Sequence, residues 1–370
     1  MKRLILLGGG HSHLEVVRRF GLGAPYGTQV TLVDAAQFAT YSGMLPGLIA
    51  GHYSFDDCHV DLARLAQTAG VGFVQSRACG IDTARRRVVF DDGARLDYDV
   101  LSVDVGSTPP TAQVAGAAEH AIAVKPFSVF AQCWERLIAS ALAGSLRNVV
   151  VVGGGAAGLE LVFAMQYRLA QAAPARPVDF TVVTAAPCLV PDHHAATRAV
   201  LTRWLNARGI AVHLNATVER VEPAAVILSN VTDILSDATI FATGAAAPSW
   251  FASTGLALDA RGFVSVTQSL ASVSHPEVFA AGDCATIEGH DYPKSGVYAV
   301  REGPVLADNL RRALDGEPLG KYRPQRLALA LISGGNRYAV ASYGRIALPG
   351  AWVWRWKDYI DRKFVRRYRR

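Results

Sequence analysis

One turn is written twice in this chain. RLILLGGGHSHLEVV opens it, and RNVVVVGGGAAGLELVF repeats the pattern near residue 150. Each copy is an apolar, β-branched run that breaks into glycines and resumes as a helical pattern. Such a junction cradles a pyrophosphate. The glycines make the tight turn and admit backbone close to the phosphates, and the helix N-terminus supplies oriented N–H groups and the positive end of a dipole. A further apolar strand follows each copy, TQVTLVD and VDFTVVT. One match is weak evidence; two predict two dinucleotide sites in one polypeptide.

Size and charge narrow the reading. A chain of 370 residues fits roughly two to three domains. No run approaches the roughly 18 to 20 apolar residues of a spanning helix. MKRLILLGGG starts like a signal peptide, but its apolar stretch is short and ends in the first glycine turn. It reads as a strand, and the protein as not exported. Cys58, Cys79, Cys133, Cys188 and Cys284 are scattered and form no CxxC pair, which fits reduced thiols in a cytoplasmic protein. The net charge is +6, and residues 355–370 alone hold eight bases against Asp358 and Asp361, again +6. The rest of the chain is neutral, which argues against a surface-wide nucleic-acid footprint.

Strands alternate with helical patterns from residue 1 to about 313, which predicts parallel sheets covered on both faces. RRRVVFDDGARLDYDVLSVDVGS reads as a hairpin around Asp92-Gly93 followed by a buried strand. LALALI and AVASYG look like two late strands, and 351–370 like a helix.

The turns carry the candidate site residues. Gly8 and Gly10 take the first two positions of GxGxxG, and His13 stands at the third. That glycine normally allows close helix–strand packing, so His13 either reaches a phosphate or ribose or is accommodated in the interior. Asp34 ends the second strand, where an acid holds ribose hydroxyls. The second copy keeps Gly153, Gly155 and Gly158, with Glu160 two residues on. Thr184 stands where Asp34 does in the first copy, and Ala185, Ala186 and Pro187 follow, so neither the acid for a ribose nor an arginine for a 2′-phosphate is present. The second site therefore reads either as a nicotinamide site or as a vestigial fold.

In order, GGGHSH, DVGS, GGGAAGLE, FATG and VFAAGDCA resemble the two-dinucleotide-binding flavoproteins, which include type II NADH dehydrogenases and sulfide:quinone reductases. The resemblance covers residues 1 to about 315. It implies an α/β fold of two Rossmann-like domains: FAD-binding, 1–115 with 245–320, interrupted by an NAD(P)-binding-like domain, 116–244. A C-terminal appendage, 321–370, would hold a short strand pair and an amphipathic helix. The resemblance places FAD at the first turn with His11, Ser12, Ser42, Ala78 and Gly282 around it, and Asp283 on the flavin ribitol. Gly106 and Gly244 would lie in turns over the cofactors. Lys294 and the helix beginning near Gly296 would face the flavin's pyrimidine edge and stabilise negative charge there, which makes Lys294 the candidate catalytic residue. YSGMLPGLIAGHYSFDD and YPKSGVYAVREGPVLADNL look more specifically like the flavoprotein module fused to selenide, water dikinase. Disulfide reductases of this superfamily carry CxxxxC soon after the second strand; Tyr41-Ser42-Gly43-Met44-Leu45-Pro46 has no cysteine, which excludes a dithiol relay there.

In the tail, Trp352, Trp356, Ile360, Phe364 and Tyr368 recur every four residues as one slowly drifting apolar ridge flanked by bases. This predicts a helix in an anionic membrane interface; the alternative is packing on the domain or on a twin subunit. Together these readings predict a peripheral-membrane enzyme on the cytoplasmic face, passing hydride from NAD(P)H through FAD to a quinone-like acceptor. The alternatives are oxidation of a sulfide or selenium species without a nicotinamide, and a flavin-bearing partner-binding protein.

Overall fold

The computed structural model describes every residue except 230, 231, 291, 326 and 370. Two five-stranded parallel sheets organise it. In the first the order is Val278–Ala280, Val100–Val103, Lys2–Leu7, Thr28–Asp34, Gly72–Gln75. In the second it is Ala121–Ala123, Ala238–Phe241, Asn148–Val152, Asp179–Val183, Ala211–His213. Strands such as ILL and VVVV carry apolar side chains on both faces because helices cover both, as parallel crossovers require. Leu4, Leu6, Val150 and Val151 are accordingly buried.

The strand that completes the first sheet, Val278–Ala280, comes from beyond the whole second sheet. The chain leaves the first sheet after Val103 and returns at Val278, and the two passages touch where Thr108 bridges Ala246. This topology brings both glycine turns to the carboxyl ends of their sheets, where α/β proteins bind ligands. The Asp92-Gly93 hairpin joins Arg87–Phe90 to Arg95–Asp97, with Gly93 at φ +83.

The appendage differs from the expected strand pair. Ala330–Ser333, Ala339–Tyr343 and Ile346–Gly350 form a three-stranded antiparallel sheet. The third strand is short, half exposed and carries Pro349, so it lacks a clear alternating signature.

The terminal helix, Ala351–Arg367, packs on the first domain. Its ridge drifts as expected, and the drift divides it between the two expected uses, one part packed on the domain and one part exposed. A step of four residues turns a helix by about 40° beyond a full circle, so a ridge built on that step winds around it. Trp352 is 52% exposed and Trp356 40%, while Phe364 is 7% and Tyr368 2% exposed. Phe364 stacks on Tyr41 at 4.3 Å, and the Tyr368 hydroxyl donates to Glu15 Oε2 at 3.1 Å. Lys357 is buried against Asp361 at 2.7 Å and donates to the Gly43 carbonyl at 2.6 Å, so it is an internal pin and not a solvated base. Arg362 pairs with Asp57 and Asp358. The outward face keeps Trp352, Trp356, Tyr359 and Ile360 with Arg355, Lys363, Arg366 and Arg367.

Candidate active site

At the first turn, Gly8 adopts φ +95 with its backbone against Asp104 and Val105, a position no side chain could take. Gly9 N donates to Asp34 Oδ2 at 2.6 Å and Ala36 N to Asp34 Oδ1 at 2.7 Å. The acid at the end of the second strand is therefore fixed beside the turn. Ala78 begins the strand Ala78–Asp82, shortly after Ser76 N, which donates to the Asp34 carbonyl at 2.9 Å.

Ser12 corrects the expectation that it contacts the cofactor, and His13 takes the second of its two readings, accommodation in the interior. The His13 ring is buried between helix and sheet, with Nδ1 2.6 Å from the Gly8 carbonyl and Nε2 2.7 Å from Ser102 Oγ. Both ring nitrogens are engaged by protein, and burial holds the ring neutral, its pKa lowered to about 4. The Ser12 hydroxyl donates to the Ala299 carbonyl at 2.8 Å, tying the first helix to Gly296–Asp315. Its N–H, with that of His13, is held by Asp104 Oδ2 at 2.9 and 3.2 Å.

His11 opens the first helix. Its ring lies edge-on to Tyr41 at 5.3 Å and to Phe364 at 5.7 Å. Its Nε2 is shielded and has no hydrogen-bond partner among the described residues. Gly296 opens the long helix directly beside it: a Cβ there would lie 3.4 Å from Ser42 Oγ and 3.5 Å from the His11 ring. Two helix N-termini and the Tyr41–Ser42 segment thus converge. Asp283 lies near, bonded to Lys125 Nζ at 2.9 Å and to Ser107 Oγ at 3.3 Å. Gly282 N donates to buried Glu302 at 2.6 Å. Gly106, at φ +70, borders open space.

Lys294 is a second correction. Its ammonium donates to the Ala285 carbonyl and to Thr286 Oγ1, and it rides over the Phe263 ring at 4.5 Å. It is committed to the Ala285–Ile287 strand and the Phe263 ring. The lysine paired with Asp283 is Lys125, which was missed because it sits just past the strand Ala121–Ala123, outside any motif. Asp104 was also missed, although an acid ending an otherwise apolar strand was a usable signal.

At the second turn Gly153 adopts φ +132 and Gly158 packs directly on the Gly153 carbonyl, the close helix–strand contact that the third glycine permits. Gly155 and Gly244 have nothing within 4 Å of where a Cβ would stand. Thr184 caps its own loop, accepting from Ala186 N at 3.3 Å. Thr243 Oγ1 is buried without a partner among the described residues. Glu160 is a third correction, since it points away from this turn. Its carboxylate accepts from Ser333 N at 2.8 Å, under the C-terminal sheet. Burial raises its pKa to about 7, against the opposing pull of Lys357.

The arrangement matches a known family. The model for pyridine nucleotide-disulphide oxidoreductases fits residues 2–303. The chain belongs to this family. It is thus an oxidoreductase, NADH dehydrogenase-like, of a family that works with FAD and a pyridine nucleotide. It is 23% identical to the type II NADH:quinone oxidoreductase of Staphylococcus epidermidis over 93% of this chain and 90% of that protein. It is 27% identical to ferroptosis suppressor protein 1 of Xenopus tropicalis over 71% and 70%. In fold it is similar to the sulfide:quinone oxidoreductase of Aquifex aeolicus, with a TM-score of 0.85 at 20% identity, covering 100% of this chain and 92% of that one. It is also similar to NDH2 from Plasmodium falciparum in complex with NADH, with a TM-score of 0.80 at 15% identity and 97% of each chain covered.

The residues present fit both cofactors. The first turn offers its glycines, Asp34 and the unpartnered His11 Nε2. The second offers open space at Gly155 and Gly244 and the unpartnered Thr243 hydroxyl.

Proposed function

We propose that this enzyme passes electrons from NAD(P)H, through FAD held at the first turn, to a quinone at a membrane surface. The observation that carries the reading is the convergence of the two helix ends, His11 and Gly296, on Ser42 and the unpartnered His11 ring, with the open Gly155 turn for the nicotinamide nucleotide. Bound there, FAD supplies the chemistry of hydride acceptance and onward electron transfer. The chain supplies positioning: Asp34 for a ribose, Lys125 and Asp283 near the ring system, and the Gly296 helix dipole for negative charge. Tyr41, Phe364 and the Lys357 pin close one side of this region, so the terminal helix forms part of the site wall.

The relatives named as NADH:quinone oxidoreductases support this donor and acceptor. A sulfur or selenium donor finds less support. Cys284 is buried between the Val103 and Ala281 carbonyls with its thiol pKa pushed far up, and Cys58 is likewise buried. The membrane contact is assigned to the outward face of the terminal helix. Its Trp352, Trp356 and Tyr359 suit an interface, and each neighbouring base adds about 1 kcal/mol near an anionic surface. Among the described residues no helix is long and apolar enough to cross a membrane.

Anaerobic NADH or NADPH should bleach the visible flavin band of the purified protein, and a soluble quinone should restore it. A flavin reduced only by sulfide or selenide would overturn the donor assignment. Replacing Trp352, Trp356 and Tyr359 by Ser should abolish co-sedimentation with anionic liposomes while leaving bleaching intact, because these side chains touch solvent and not the site.

A further inference from the structure

Asp104 ends the buried strand Val100–Val103 and reaches into the first glycine turn. Its Oδ2 accepts from Ser12 N at 2.9 Å and His13 N at 3.2 Å. Its carboxyl group fills the space a Cβ on Gly10 would need, and Oδ1 lies 2.5 Å from where a Cβ on Gly282 would stand. The residue is 3% exposed. Among the described residues no cation pairs with it, and no hydrogen bond reaches Oδ1. Two N–H groups that a helix end would offer a phosphate are therefore already held by a carboxyl group.

A glycine turn holds a pyrophosphate through N–H groups such as these, so a pyrophosphate bound at this turn would stand beside the carboxyl. Two anions in a buried site repel. A protonated carboxyl instead donates a short, charge-assisted O–H···O⁻ hydrogen bond. Resting on the flavin assignment above, we propose that Asp104 is a cofactor-binding acid: it keeps a proton on Oδ1, donates it to the dinucleotide pyrophosphate, and makes FAD binding proton-linked.

The surroundings favour the neutral form. Burial raises the Asp104 pKa to about 8, opposed by the His13 and Ser12 N–H groups and reinforced by Glu302 and Asp283. The groups facing it are few. On the first helix, His11 and His13 are held neutral, both with pKa near 4. On the Gly282–Cys284 turn, Asp283 is paired with Lys125, and the Cys284 thiol is pushed up out of range. On the long helix, Glu302 accepts from Gly282 N and Tyr292 Oη, with its pKa raised to about 7. Lys294 is bound to the neighbouring strand. Glu302 is the one competitor in the same range, and it serves as the control.

The test titrates FAD into the full-length, flavin-stripped protein and follows flavin fluorescence from about pH 6 to about pH 9.5. For the wild type the Kd should be flat below about pH 8 and rise about tenfold per unit above it. Asp104→Asn should bind FAD with no such slope, whereas Glu302→Gln should keep the slope. In weak buffer at about pH 9, wild type should take up about one proton per FAD bound and Asp104→Asn none. A flat wild-type profile, or a slope that survives in Asp104→Asn, overturns the role of Asp104 while leaving the flavin site standing. No FAD binding at any pH by folded wild type overturns the flavin assignment and this inference together. Should Asp104→Asn fail to fold, the wild-type profile and its proton uptake still decide.

Discussion

The two glycine turns begin from the same pattern and end differently. In the first, the protein's own groups fill the cradle: Asp34 holds Gly9 N, Asp104 holds Ser12 N and His13 N, and the His13 ring occupies the gap that a third glycine leaves closed. In the second, Gly158 closes that gap by direct contact, the Thr184 hydroxyl accepts from Ala186 N in its own loop, and Gly155 faces empty space. A resident cofactor suits a turn with many fixed partners, and an exchanging substrate suits an open one. A shared motif thus sets the backbone path, while the side chains around it set how firmly a ligand is held.

The largest effect expected from this contrast is at the two middle glycines. Gly10→Ala drives a methyl into the Asp104 carboxyl and should destabilise the first domain by about 3 kcal/mol, with FAD lost. Urea melts and flavin content check it; a variant that tolerates the added methyl and keeps full FAD would mean the first cradle is as open as the second. His13→Ala leaves Ser102 Oγ and the Gly8 carbonyl without partners and a cavity behind them, a loss of about 2 to 3 kcal/mol. Were His13 a phosphate ligand, FAD affinity would fall instead and the melt would not move.

Asp104 links stability to pH with a definite sign. Its folded pKa, about 8, lies above the ordinary carboxyl value of 3.8. The stability associated with its protonated form is complete below the unfolded value and is lost as pH rises toward the folded one. Asp104→Asn should therefore gain on wild type by about 1 kcal/mol per pH unit between about pH 5 and pH 8, and no further above that. A gap independent of pH in urea unfolding would show that the carboxyl is ionised throughout. The smallest effect is at Gly155→Ala, where a methyl meets nothing within 4 Å. Stability should change by under about 1 kcal/mol, and the KM for NADH should rise.

Much of the scaffold was legible in the residues. Both turns, the strand ending in Asp34, the Asp92-Gly93 hairpin and the buried Val100–Val103 strand all follow from apolar runs broken by glycine, a local signal. What escaped depends on side-chain direction. Lys294 and Lys125 are both loop lysines, and only the tertiary path decides that Lys125 meets Asp283 while Lys294 turns to the Ala285–Ile287 strand. Glu160 sits on a glycine-motif helix yet points to Ser333, because the C-terminal sheet covers that face. The drift of the tail ridge was legible, since a four-residue period winds around a helix, but which end of it packs was not: Phe364 and Tyr368 are buried and Trp352 is exposed.

The division of labour between the turns is tested most directly by Gly155→Asp, which places an ionised carboxylate in the open second turn, unlike the buried, protonated carboxyl proposed for Asp104 in the first, and so repels a pyrophosphate there. Flavin content and the rate of anaerobic bleaching by NADH are measured on the same sample. The variant should retain a full complement of FAD and bleach normally with dithionite, but no longer with NADH. Loss of FAD, or undiminished bleaching by NADH, would contradict the assignment of flavin to the first turn and nicotinamide to the second.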